Sequence, residues 1–151
     1  MDFNDLMMAF GQQIGILELG QTDDGITLEI ADRTVVLRHE PPGGRVTIIA
    51  DVAAYPRAHQ AALAPALLEL NFASALVGGH SLAADPSEER CFCVVSLLLD
   101  GLSVDTLDAE IARLVTKAGI AADLIERRIA ILSEAPGDVA AAGLGDFAVR
   151  V

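Results

Sequence analysis

Residues 67–85 read LLELNFASALVGGHSLAAD, and residues 91–107 read CFCVVSLLLDGLSVDTL. The first stretch is the end of an apolar helix stopped by Gly78-Gly79, because glycine takes the left-handed conformation at little cost. A short strand follows, about His80 to Ala84, with Asp85-Pro86-Ser87-Glu88 as a turn. The run Cys91 to Leu98 is apolar on both faces but for Ser96, as in a central strand covered on both sides. Asp100-Gly101-Leu102 makes a second turn, and Ser103 is placed to cap a new helix.

Upstream, the helix carrying Leu67 begins near Arg57 and bears two apolar stripes. Leu63, Leu67, Leu70, Ala73 and Val77 form one, and Leu68, Phe72 and Leu76 form the other. A helix apolar on more than one face is buried on more than one face. One side can pack on a sheet, and the other needs a second subunit or a ligand. Leu67, Leu68, Phe72 and Leu76 are therefore the expected dimer contacts. Pro65 predicts a kink, or a break into two helical pieces.

The outer segments fit around this centre. Phe3, Met7, Phe10, Ile14 and Leu17 recur at gaps of four and three, and Leu6 widens the stripe, so Asp2 to Ile16 reads as a helix. Three strands are expected at Ile26–Ile30, Thr34–His39 and Arg45–Val52, joined by hairpin-like links. Ser103 to Leu132 keeps a helical stripe up to the Pro136-Gly137 stop. The order is α-β-β-β-α-β-β-α. This is an α+β chain with an antiparallel sheet packed against helices, one domain over residues 1–135, and a flexible tail over 136–151.

The ordered combination of Leu67, Leu68, Asn71, Gly78, Gly79, Leu82, Asp85, Leu97, Asp100, Gly101, Leu102 and Leu107 resembles the class I chaperones of bacterial type III secretion, the family that includes the Tir chaperone. The resemblance implies a small homodimer that performs no chemistry. It implies a partner, a secreted effector whose N-terminal segment wraps around the dimer in extended form, kept soluble and ready for export. One or a few effectors would be served. The alternative is an adaptor of the same fold that binds a transcription factor or a component of the secretion apparatus.

Composition narrows the classes further. The 151 residues carry 22 acidic against 10 basic side chains, a formal net charge of −12. Nucleic-acid binding and docking on anionic lipid both need a basic footprint, so neither is expected. The start, MDFNDLMMAF, lacks a basic region followed by a long apolar run, and no stretch reaches the ~20 apolar residues of a membrane span, so a cytoplasmic protein is expected. Cys91 and Cys93 lie too close along one strand for an ordinary disulfide and read as buried free thiols.

No reactive constellation is visible. His39, His59 and His80 stand at no metal-ligand spacing, and neither glycine pair continues into a phosphate-loop signature. No cofactor and no catalytic residue is expected. What remains is surface recognition. Phe3, Leu6, Met7 and Phe10 on the first helix, with Val36 and Ile49 on a sheet face, are the expected partner-binding residues.

Overall fold

The computed structural model describes residues 2–16, 19, 21–22, 25–41, 44–77 and 79–134. The expected tail over 136–151 and Gly78 lie outside these described residues. Helix α1 spans Phe3–Ile14 and is capped by Asp2, whose Oδ1 accepts the Asp5 N–H at 2.8 Å. Gly15 closes it in the left-handed region at φ 78°.

Among the described residues, six strands follow the expected antiparallel order with one addition. β1 (Gln21–Thr22), β2 (Gly25–Ile30), β3 (Arg33–Glu40) and β4 (Arg45–Ala54) form a meander, and β5 (Ser81–Asp85) and β6 (Arg90–Leu98) form a hairpin. β1 is too short to show alternation, so periodicity could not find it. The spatial order is β1-β2-β3-β4-β6-β5, all neighbours antiparallel. β2 and β3 are joined at Ala31 and Asp32, both at positive φ, the backbone a tight primed hairpin turn demands. The Asp85 turn is held by its own side chain, whose Oδ1 accepts from the N–H of Ser87 and of Glu88.

Helix α2 (Gln60–Val77) is entered through a short 3₁₀ turn at Arg57–His59. It runs unbroken through Pro65, which is exposed, and so it is one helix rather than the two pieces considered above. Helix α3 covers Val104–Glu134, and Ser103 caps it by accepting the Thr106 N–H at 3.2 Å.

Inward-facing residues of the strands share one parity and pair across the sheet: Ile26 with Leu37, Leu37 with Ile48, Ile48 with Val95, and Ala50 with Cys93. All are buried, together with Leu6 and Phe10 of α1, Leu63 of α2, and Leu107, Leu114 and Ile125 of α3. The helices therefore lie on one face of the sheet. Phe3 also joins this layer by stacking on His39, ring centroids 5.0 Å apart.

One irregularity interrupts β4. Its pairing with β6 slips between Asp51 and Ala53. Val52 and Ala53, adjacent in the chain, are both buried. The Arg33 guanidinium donates to the carbonyls of Asp51 and Val52, at 3.3 and 2.9 Å, across this bulge.

Candidate recognition surfaces

With every helix on one side, the other face of the sheet carries no covering element among the described residues. Thr27, Val36, Ile49, Val94 and Ser81 stand side by side across it. Phe92 lies beside this row, opposite Asp51 and Ala83. Val36, Ile49, Phe92 and Val94 are half-buried. Thr34, Val36, Ile49, Asp51, Arg90 and Phe92 line a shallow depression of about 290 Å³ there. Its polar rim is the Arg90–Asp51 pair, with Arg90 Nε donating to Asp51 Oδ1 at 2.9 Å and a second contact between Nη2 and Oδ2. Val36 and Ile49 are thus adjacent on an open apolar strip, and Phe92 and Val94 extend it. The apolar character of both faces of β6 had suggested cover on both sides, which hid those two residues from the sequence reading. Among the described residues, only the Cys91, Cys93, Val95 side is covered.

The first helix is a correction. Phe3, Leu6, Met7 and Phe10 are all core residues here, and Leu6 and Phe10 are almost wholly enclosed. Their spacing reports the face that α1 presses into the protein, so they offer no surface to a partner. The exposed apolar side chains on that helix are Met8 and, at its end, Ile14.

Helix α2 presents the second surface. Leu68, Phe72 and Leu76 are 70%, 70% and 71% exposed, spaced one turn apart along the side away from the core. Leu67, grouped with them above, is only 7% exposed and belongs to the core stripe with Leu63. Helix α3 adds exposed Ile120, Leu124 and Ile131, which periodicity had not singled out because the inward stripe of the same helix is stronger. Two hollows of about 420 and 300 Å³ run between α2 and α3 and share Leu70.

No group of three His, Cys, Asp or Glu among the described residues is placed to hold a metal. Burial pushes the Cys91 thiol up to about 11 and raises that of Cys93 as well, so neither is a ready nucleophile. Among the described residues His80 is the one buried polar side chain. Its Nε2 lies 3.2 Å from Glu110 Oε2, while its Nδ1 is buried without a partner. Burial, and next the positive charge of Lys117, hold its pKa below the ordinary histidine value despite Glu110. The neutral ring is thus the folded form. Its stabilising contribution is complete above the unfolded value of about 6.5 and is lost as pH falls through the lower folded value. Urea midpoints should therefore drop as pH falls from about 6.5 to the folded value and level off below it, and His80→Gln should flatten the drop. An equal drop in both proteins would assign it to other groups.

The described residues include no helix long and apolar enough to cross a membrane. Comparison with solved structures returns the same architecture. A chain of the HopA1–SchA chaperone–effector complex superposes with a TM-score of 0.69 at 20% identity, covering 80% of this chain and 93% of that one. A chain of the ExsC–ExsE complex gives 0.61 at 19% identity, covering 83% and 97%. A chain from the structure of the Yersinia pestis type III secretion chaperone SycH with a stable fragment of YscM2 gives 0.58 at 20% identity, covering 76% and 94%. No curated protein matches the sequence. The sequence model of the Tir chaperone protein (CesT) family matches residues 5–121, from the first turn of α1 to the middle of α3. With most of its length matched and its fold shared with chaperones of known structure, the chain belongs to the Tir chaperone protein (CesT) family, a family of binding proteins and not of enzymes.

Proposed function

We propose that the chain is a homodimeric type III secretion chaperone. Its client is an effector, and it holds the effector's N-terminal segment in extended form, soluble and competent for export. The bare sheet face is the observation that carries this reading. An apolar strip of Val36, Ile49, Phe92 and Val94, edged by hydroxyls and one ion pair, suits an extended chain that places alternate side chains on it. The solved chaperone–effector complex of similar fold supports the class of client. The α2 stripe of Leu68, Phe72 and Leu76 supports the dimer, since a patch of that kind on a lone subunit marks an interface.

The test uses the N-terminal segment of an effector from the same bacterium, co-expressed with this chain. Val36→Asp with Ile49→Asp should weaken capture by at least about tenfold, the equivalent of losing one well-buried apolar contact. The dimer and the fold should persist, because neither residue reaches the core. Raised salt should weaken capture only modestly, because screening leaves apolar burial intact. Unchanged capture by the double variant would remove the sheet face from the binding site.

A further inference from the structure

Helices α2 and α3 run side by side in opposite directions. Ala62, Ala66 and Glu69 share one hollow with Leu124 and Arg128, and Ala73 and Ser74 share the next with Lys117 and Ile120. The end of α3 is tied to the entry of α2, where Ser133 Oγ lies 3.3 Å from His59 Nε2. The family match ends at Ala121, but α3 continues to Glu134. That added length is anchored: Ile125 is buried, and Ile129 and Leu132 pack against the core. Leu124 and Ile131 are left outside, 45% and 60% exposed, in line with Ile120 at 59%. Four and seven residues apart, the three share one side of the helix.

Area and charge decide what covers this second apolar row. A long-lived homodimer buries about 1,000 Å² or more on each subunit, about 65% of it apolar, and so needs roughly 650 Å² of apolar surface. Leu68, Phe72 and Leu76 at their exposures supply only about 350 Å². Ile120, Leu124 and Ile131, on the neighbouring helix, close most of the difference with about 250 Å². Two bodies of formal charge −12 repel, so their contact must avoid setting acid against acid. Glu69 is the one charged residue in the sequence of α2, and α3 borders the groove with Lys117 and Arg128.

We infer that the subunits dock helix pair on helix pair. The α2 stripe of one lies in the α2–α3 groove of the other, with the partner subunit's Phe72 seated against Leu70, Ala73 and Ile120. Helix α3, including the length beyond the family match, is thus part of the interface. This rests on the dimer proposed above and adds α3 to it. Twofold symmetry makes the contact reciprocal, so each subunit fills its partner's hollow.

The test mixes two preparations of the full chain and lets subunits exchange. One is deuterated except for Ile and Leu methyl groups, the other except for Phe. Any nuclear Overhauser effect between a ring and a methyl group then crosses from one subunit to the other. Cross-peaks from a Phe ring to the Ile120 methyls are expected, and Phe72→Leu should erase them. Ile120→Asp with Leu124→Asp should raise the dimer Kd at least about hundredfold, read by sedimentation over a dilution series, with helical dichroism unchanged. If that pair fails to fold, Ile120→Ala with Leu124→Ala should raise it at least about tenfold. A wild-type dimer without those cross-peaks, including one whose Ile120 and Leu124 touch only residues 136–151 of their own subunit, would overturn the inference. So would a folded double variant with an unchanged Kd. Both results leave the α2 contact standing, whereas a monomeric wild type removes the dimer and this inference together.

Discussion

Phe72→Asp and Leu68→Asp are each expected to turn a stable dimer into a folded monomer. Both side chains are about 70% exposed on the single subunit, so the subunit loses little when they change. In a symmetric dimer the same stripe meets its copy, so each substitution places a carboxylate on both sides of the interface. Burying each native side chain contributes about 1.5–3 kcal/mol, and an uncompensated carboxylate costs more than that gain. Light scattering at micromolar concentration should read half the wild-type mass, with the far-ultraviolet dichroism of the wild type. A monomeric wild type, or a variant that stays dimeric, would take α2 out of the interface.

Leu6→Ala and Phe10→Ala should act in the opposite way, on the fold itself. Both residues are enclosed by the sheet and helices, so truncation leaves a cavity the surroundings cannot refill. Losses of about 2–5 kcal/mol for the leucine and 3–5 for the phenylalanine are expected. Against a total stability of about 5–15 kcal/mol for a domain, the double variant should be unfolded or nearly so at room temperature. Denaturant titration measures this directly. A double variant that stayed folded and merely lost its client would return α1 to the recognition surface.

The contrast between those two helices shows where sequence reading succeeds. A stripe of Leu and Phe at helical spacing states that one face is buried, and says nothing of what buries it. For α1 the protein's own core takes Phe3, Leu6, Met7 and Phe10. For α2 there are two stripes, and the arithmetic of surplus holds: Leu63 and Leu67 go inward, while Leu68, Phe72 and Leu76 stay out. The order of elements, the antiparallel pairing and the Ser103 cap follow from local pattern, because turns, caps and alternation are local physics. The bare face of β6 was not legible, since an apolar run reads the same whether a helix or a client covers its far side. The two hydrogen bonds between the Asn71 side chain and the Leu82 backbone join residues of two elements, and no local pattern announces them.

The bulge in β4 has a consequence for how the chain tolerates changes of length. Strand residues alternate like the beats of a two-step, and Val46, Ile48, Ala50 and Val52 fall on the inward beat. At the slip the beat is repeated, so Ala53 and Tyr55 are inward and Ala54 is exposed. Position 52 is therefore a splice point. A chain lacking Val52 keeps Ala53 and Tyr55 in step with β6 and should still melt cooperatively, at the cost of one valine's burial and the Arg33 anchor. A chain lacking Thr47 swaps inside for outside at the start of the strand, offering Arg45 to the core and Val46 to water. It should not fold, and paired thermal melts of the two deletions would show whether this one strand carries its own allowance for a lost codon.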